Sequence, residues 1–214
     1  ELIVDDSLEQ NQKIKLNSFI KNWLRNKIDI VLQSLVDLKN IKDKHSSIKA
    51  LAYQLYENNG VLKREDVSEY LKNLGQNERK ILRDLGVKFG RYHIFLHKLI
   101  KPEPVTIRTL LWKNYHQKYF KLNPPTFGLN FIEDNNNNKS FMLLCGFEKF
   151  NNFFVRIDIL ERLFMQIINS GSDKKKEIKL IPEMLNLLGC SKENFKELIR
   201  NMNYKIIEKD QDTF

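Results

Sequence analysis

The chain has 214 residues and a formal net charge of +9, and this length suits one large domain or two small ones. Apolar residues make up 42% of the chain and charged residues 29%, a composition that predicts a soluble globular protein rather than a disordered one. No apolar run approaches the roughly 20 residues of a membrane-spanning helix, and no basic segment followed by an apolar one resembles a signal peptide. Neither a membrane protein nor a secreted precursor is therefore indicated.

The N-terminal part is predicted to be helical. Apolar side chains recur at helical spacing from Leu16 to Leu38, which predicts one long amphipathic helix. A second helix is expected from Ser46 to Tyr56, ending at a turn that contains Gly60. Two short helices are expected over 64–74 and 77–85, each followed by a glycine. Four helices therefore precede the middle of the chain.

The segment from Val87 to Leu96 is rich in β-branched and aromatic residues with partial alternation, which predicts a strand or one arm of a hairpin. Pro102 and Pro104 delay the next helix, which is predicted from Val105 to Phe120. Prolines at 124 and 125 end that helix. We expect a domain boundary there, with a helical domain over 1–126 and a small α+β domain over 127–214.

The second domain is expected to begin with an asparagine-rich loop at 135–138 and a short hairpin formed by Phe141–Phe147 and Phe153–Ile157, followed by a helix over 160–168. Extended residues 178–180, a helix from Pro182 to Leu188, a turn at Gly189, a helix from Lys192 to Met202 and a strand over 204–207 are predicted last. That order is typical of a winged helix-turn-helix. The predicted fold class is thus α+β and mainly α-helical, with a short strand insertion in the N-terminal part and a winged-helix-like C-terminal part.

Positive charge is concentrated in the middle of the chain. Residues 79–121 hold eleven Lys and Arg residues and only two acidic ones, which accounts for the whole net charge of +9. Such a concentration is the expected footprint of a protein that binds a phosphate backbone. Aromatic residues are interleaved with these Lys and Arg residues. Exposed rings of this kind stack on the nucleobases of single strands. The other interpretation is equally compatible with this window: the rings belong to the core and the lysines form a solvated face.

The candidate nucleic-acid contacts are polar or aromatic side chains of this window, one arginine of the predicted hairpin, and three basic residues on one face of the Lys192–Met202 helix. Within the window they are Lys88, Arg91, Tyr92, His93, Lys98, Lys101, Arg108 and Trp112, and outside it they are Arg156, Lys192, Lys196 and Arg200. The C-terminal set is a second tier, because acidic neighbours on the same helix also fit an ordinary solvated face.

No enzymatic site is discernible. None of the eight glycines begins a phosphate-binding loop of the G-x-x-x-x-G-K-[ST] type, so we expect neither ATP hydrolysis nor a bound cofactor in this chain. His93 and His97 have the spacing of a metal pair on a helix, but they lie in a strand-like segment, so no metal is expected. Cys145 and Cys190 are the only cysteines, in no redox or metal-ligand spacing, which favours a reducing compartment such as the cytoplasm.

The run Leu82–Leu96, followed by Leu99-Ile100-Lys101-Pro102, resembles a stretch downstream of the motor in bacterial superfamily-two helicases of the mitochondrial-degradosome type. Cys145-Gly146-Phe147, Val155–Leu163 and Pro182–Ser191 resemble the segments that follow it, in the same order. The resemblance covers residues 45 to 205. His97 departs from it, standing where the family pattern has proline, and so does the asparagine-rich loop.

The resemblance implies the C-terminal accessory region of an ATP-dependent helicase in the bacterial cytoplasm. The first residue, Glu1, is not methionine, which fits a piece of a longer parent chain. ATP and Mg²⁺ would belong to motor domains elsewhere in that parent. The implied partners are single-stranded RNA or DNA, those motor domains and, as a further candidate, a nuclease. The competing hypothesis is a protein-interaction scaffold that docks a nuclease or braces the motor domains without touching nucleic acid.

Overall fold

The computed structural model describes residues 8–41, 46–117, 121–134, 138–170 and 180–205. It is mainly helical with two small antiparallel sheets, which confirms the predicted α+β class. In the described part the helices are α1 (Gln10–Val31), α2 (Gln33–Lys39), α3 (Ser46–Glu57), α4 (Ser68–Lys72), α5 (Gln76–Asp84), α6 (Pro102–Tyr115), α7 (Lys139–Leu144), α8 (Ile157–Ser170), α9 (Pro182–Leu188) and α10 (Lys192–Asn201). The strands are β1 (Val61–Lys63), β2 (Val87–Phe89), β3 (His93–Leu96), β4 (Phe131–Glu133), β5 (Phe147–Phe150) and β6 (Phe153–Arg156). Short 3₁₀ turns cover Glu65–Val67 and His97–Ile100.

The predicted long N-terminal helix is interrupted, since α1 ends at Val31 and α2 begins at Gln33. No residue of α1 is buried, although Ile28 and Val31 at its C-terminal end pack against the first core. In α2, Leu35 and Leu38 are buried in that core. The break therefore separates a largely exposed helix from one that packs against α3.

Residues 46–96 form a complete winged helix-turn-helix. Helix α3 is followed by β1, α4 and α5, and the hairpin β2–β3 completes a sheet of order β1-β3-β2. Ile48, Leu51 and Leu55 of α3 share a core with Leu82 of α5 and Leu96 of β3. The strand predicted over 87–96 is thus a hairpin, and its turn at 90–92 is the tip of the wing.

The winged arrangement had been predicted for the C-terminus instead. Helices α9 and α10 are present, joined by Gly189 in the left-handed conformation at φ 71°. Tyr204 is not in a strand, nor is Lys205, and the rest of the predicted strand lies outside the described residues, as do positions 178–179 and most of the 135–138 loop. In the described part, the C-terminal segment is a helical pair rather than a winged domain.

The second half repeats the arrangement of the first. A helix, α7, leads through a positive-φ glycine into a hairpin, and the sheet order is β4-β6-β5. Gly146 at φ 89° stands between α7 and β5 as Gly86 at φ 92° stands between α5 and β2. A conformation that favours glycine is thus used at the same point of both units.

The hairpin prediction for Phe141–Phe147 was wrong in its first arm. Residues 139–144 are helix α7, which begins where the Asn138 side chain accepts a hydrogen bond from the backbone N–H of Phe141 at 3.0 Å. Phe141, Met142 and Cys145 are buried together with Phe154. A short apolar run has no distinguishing period, and burial against α6 through Val105 selects the helix.

Strand β3 joins the two halves. All four of its residues are buried, because its two faces contact different cores. Ile94 and Leu96 belong to the first core, whereas Phe95 packs in a small cluster with Ile100 and with Ile157 of α8. Burial on both faces explains why the sequence alternates only partially here. Helix α6, which precedes the expected domain boundary after residue 126, also packs on α7, which follows it. The boundary itself stays a prediction.

Candidate nucleic-acid interface

A groove of about 900 Å³ lies between the wing hairpin and helix α8. Its charged lining consists of six cationic side chains, Arg64, Lys88, Arg91, Lys101, Arg156 and Arg162, and two acidic ones, Asp158 and Glu161. Aromatic rings of the same groove are those of Phe89, Phe95 and Phe164. Phe95 is buried, whereas Phe89 and Phe164 are partly exposed. Exposed rings between cations are the combination that binds unpaired nucleic-acid strands.

Four predicted contacts, Lys88, Arg91, Lys101 and Arg156, line this groove together. They come from β2, the wing turn, the end of the 3₁₀ turn and the end of β6. Lys88, Arg91 and Lys101 are exposed to solvent. Residues up to 68 positions apart are thus brought to one surface by the packing of the wing on α8.

Two of these cations already have partners within the groove. The guanidinium of Arg156 donates to Asp158 from Nε at 2.6 Å and from Nη2 at 3.1 Å, which leaves it with further N–H donors. The guanidinium of Arg91 lies 5.7 Å from the ring centroid of Phe164, within cation–π range. Both heads are therefore oriented before any ligand binds.

The wing turn is held by a carboxylate of α8. Glu161 accepts hydrogen bonds from three successive backbone N–H groups, those of Arg91 at 2.5 Å and of Tyr92 and His93 at 2.9 Å each. Burial raises the pKa of Glu161, but the hydrogen bonds from His93 and from these backbone groups lower it by a larger amount. The net pKa of Glu161 therefore lies below its ordinary value. A Cβ at Gly90 would overlap this carboxylate. Glycine there permits the close approach that fixes the wing.

The prediction that His93 contacts nucleic acid is wrong, because only 2% of the residue is exposed. Its Nε2 is hydrogen-bonded to Glu148 of β5 at 2.9 Å, and Glu148 also accepts from Lys63 Nζ at 2.7 Å. Burial lowers the pKa of His93, but the hydrogen bonds and charges of Glu148 and Glu161 raise it more, so the net pKa is raised. The pKa of Glu148 is correspondingly lowered. His93 is a buried link between the two halves, and a strand in the groove cannot reach it.

Arg108 is the second predicted contact that the structure removes from the surface. It is 2% exposed on α6, and its guanidinium donates to the carbonyls of Asn59 at 2.6 Å and Leu99 at 2.5 Å. Burial lowers its pKa to about 10, which still leaves it protonated at neutral pH. Arg108 therefore links the turn after α3 to the 3₁₀ turn before α6. Its guanidinium is buried and does not contact a phosphate in the groove.

The remaining predicted contacts lie outside the groove lining. Tyr92 is half-buried with its ring edge-on to Phe164 at 5.5 Å, and burial raises its pKa to about 12. Trp112 packs on Phe141 at a ring distance of 5.6 Å. Lys98 is exposed on the 3₁₀ turn but does not line the groove. Trp112 and Tyr92 are thus framework rather than stacking platforms.

The second-tier residues of α10 are also separate from this groove. Lys192, Lys196 and Arg200 do not line it, and they lie on the helix whose Phe195, Leu198 and Ile199 form part of the second core. Asn194 on the same helix donates to the Glu133 carboxylate of β4. The C-terminal helix pair thus packs behind the second sheet.

Four charged groove residues, Arg64, Asp158, Glu161 and Arg162, were not proposed as contacts from the sequence. Arg64 follows β1 and donates to the Gly90 carbonyl at 2.7 Å, while Arg162 and Glu161 lie on α8. The signal for Glu161 was ambiguous, since its spacing to neighbouring arginines also fits ordinary helix pairing. Only the tertiary packing shows that its partners are about 70 residues away in sequence.

Three further findings concern the described helices, the candidate metal ligands and the comparison with known proteins. None of the described helices is long and apolar enough to cross a bilayer, and the described residues contain no group of three or more His, Cys, Asp or Glu side chains placed to hold a metal ion. Comparison with protein-family models, curated proteins and solved structures gave no significant match for this chain.

Proposed function

We propose that this chain is a nucleic-acid-binding accessory region of an ATP-dependent helicase, and that it guides single-stranded RNA or DNA along the groove between the wing and α8. The motor domains, with their ATP and Mg²⁺, would lie elsewhere in the parent chain, and the setting would be the bacterial cytoplasm. The observation that carries the proposal is the convergence of Lys88, Arg91, Lys101 and Arg156 on one groove. The resemblance noted in the sequence supplies the helicase context.

A single strand fits this surface better than a duplex read through its major groove. Duplex reading by a winged helix-turn-helix places its recognition helix in the major groove, whereas the groove proposed here lies between the wing hairpin and α8 and has the partly exposed rings of Phe89 and Phe164 in its lining. Phosphates pair with Lys and Arg heads, and bases with ring faces. Backbone binding of this kind carries little sequence preference, which suits a guide for a moving strand.

The test is binding of a fluorescent single-stranded oligonucleotide over a salt series. Each phosphate contact to a single strand contributes about 0.7 to the slope of log K against log salt. Replacing Arg91 and Lys101 by Glu should reduce the slope by roughly 1.4 and remove most of the affinity. The matched control is Lys49→Glu with Lys72→Glu, which changes the net charge equally at two exposed lysines outside the groove.

The comparison separates a local site from general attraction. Loss of affinity in the groove variant with retention in the control supports the proposal. Equal losses in both would show that only net charge matters, and that outcome refutes the groove as the binding site. Absence of salt-dependent binding by the unmodified protein refutes nucleic-acid binding itself.

Helix α1 favours a second candidate function, that of a scaffold which docks a nuclease or braces the motor domains. Ile14, Phe19, Trp23, Leu24 and Ile30 are large apolar residues of α1 that are 47–71% exposed. Phe19, Trp23 and Ile30 fall on one face of the helix at its 3.6-residue period, and an exposed apolar face of this kind indicates a protein contact. If this candidate is correct, the unmodified chain should co-elute with separately expressed motor domains without binding an oligonucleotide, and Phe19→Ser with Trp23→Ser should abolish that co-elution.

A further inference from the structure

A smaller cavity of about 140 Å³ opens beside the groove. Lys101, Arg156 and Asp158 line both spaces, so the polar mouth of the cavity is one wall of the groove. Its other walls are mainly apolar and include Ile100, Val105 and Phe147. A side chamber therefore extends from a cationic channel into the protein.

The outer wall of this chamber is the segment from Pro125 to Leu129, which is anchored at both ends. Before it, the carbonyl of Leu122 accepts a hydrogen bond from Lys113 Nζ at 2.9 Å. After it, the carbonyl of Asn130 accepts from Arg156 N, and the Asn130 side chain donates to the Leu187 carbonyl, each at 2.9 Å. The wall is thus held in place although it lacks regular secondary structure.

Phe127 and Leu129 leave large apolar side chains of this wall exposed to solvent. The Phe127 side chain lines the chamber and the residue is 50% exposed, and Leu129 beside it is 45% exposed. Leaving such rings in water is unfavourable by the hydrophobic effect. A ring that is half in solvent at the entrance of an apolar chamber is placed to stack on something that enters.

The size and charge of the chamber restrict that ligand. Apolar cavities near 150 Å³ hold one aromatic ring, so the volume suits a single planar heterocycle. Asp158 neutralises part of the charge of Arg156, but Lys101, Arg156 and Asp158 together keep the mouth net positive, which favours an anionic group attached to that ring. Inorganic phosphate lacks the ring, and a purely apolar molecule lacks the charge.

We propose that the chamber receives one nucleobase from the strand in the groove, stacked on Phe127, while the adjoining phosphate contacts Lys101 and Arg156. This inference rests on the proposed function and adds to it a discrete base-holding position. A guide with such a position would pause or index a strand one nucleotide at a time, whereas an electrostatic groove alone lets it slide.

The test compares two oligonucleotides of equal length, one carrying bases and one made entirely of abasic residues, with four proteins. These are the unmodified chain, Phe127→Ala, Phe127→Trp and, as a matched control, Tyr53→Ala, which removes another exposed ring (60%) outside the groove and chamber. Loss of one base–aromatic stack weakens binding about 5- to 150-fold. Phe127→Ala should show that loss on the base-bearing strand only, with an unchanged salt slope, and Phe127→Trp should restore affinity.

The outcomes distinguish failure of the base chamber from failure of nucleic-acid binding in the groove. Salt-dependent binding in which Phe127→Ala has no effect, or weakens both strands equally, overturns the base chamber and leaves the groove intact. No salt-dependent binding of either strand refutes the proposed function, and the chamber with it. Because Phe127 is half-exposed, its variants should keep the unfolding midpoint of the unmodified protein, and the Trp variant distinguishes loss of the ring from loss of structure.

Discussion

Replacing Glu161 by Ala is expected to destabilise the protein by about 3 kcal/mol. The carboxylate accepts three backbone hydrogen bonds from the wing turn, and hydrogen bonds to a charged group contribute about 1.5–3 kcal/mol each. Arg91 is exposed, so water can replace the acceptor of its N–H. The N–H groups of Tyr92 and His93 are partly buried in these bonds, and two lost bonds of about 1.5 kcal/mol each give the expected value.

The assay is equilibrium unfolding in urea, with thermal unfolding as a second measure. For a chain of this size, about 3 kcal/mol corresponds to a fall in Tm of roughly 6–12 °C. Glu57→Ala is the control, because Glu57 is exposed at the end of α3 and surface changes of that kind stay within about 0.5 kcal/mol. If Glu161→Ala is as stable as this control, then the carboxylate does not hold the wing, and the account of how Arg91 is positioned is wrong.

Two further predictions concern the buried polar groups. Arg108→Met should cost about 3 kcal/mol in urea unfolding, because two carbonyls lose their donor, yet the salt slope of oligonucleotide binding should not change; a reduced slope would show that Arg108 contacts phosphate after all. For His93, the folded-state pKa is raised, so its stabilisation is complete below its unfolded pKa of about 6.5 and is lost as pH rises through the folded-state pKa. Urea unfolding between pH 6 and 9 should show this decline, and His93→Gln should remove it; an unchanged pH dependence in that variant would assign the decline to other groups. The lowered pKa values of Glu148 and Glu161 predict a second loss, as pH falls below about 4.5 through their folded-state values.

Most helices could be predicted because their signals are local. Helices α3, α5, α9 and α10 appear close to their expected bounds, since periodic apolar residues, caps and a terminal glycine all act within a few positions. Strands β1 and β4 were missed, because three residues carry no period. Each is defined only by pairing with β3 or β6, more than 20 residues away. The winged unit at 46–96 was consequently missed.

The repeated arrangement of the two halves is visible in the sequence at two glycines. Leu85-Gly86-Val87 and Cys145-Gly146-Phe147 each follow an apolar helical turn and precede a hairpin. Aligning the chain with itself on these two glycines would have indicated that 139–144 is a helix like α5. The equivalence would also have predicted a strand before each helix.

The candidate site was predictable in part. Lys88, Arg91 and Lys101 lie within 14 residues of one another and share the basic window, so their convergence on the groove follows from local structure. His93 and Arg108 share the same window but are buried, because their partners Glu148 and Asn59 are about 50 residues away. A charge count cannot distinguish a cation that faces solvent from one that satisfies internal carbonyls.

The most direct measurement is a cross-linking map of a single-stranded oligonucleotide that carries photoreactive bases. After irradiation and digestion, cross-linked peptides are expected from the wing around 88–91, from α8 around Arg162 and from the wall that contains Phe127. Peptides from α10, which carries Lys192 and Arg200 outside the groove, should stay unmodified. Cross-links concentrated on α10, or distributed evenly over the basic surface, would contradict the groove as the path of the strand.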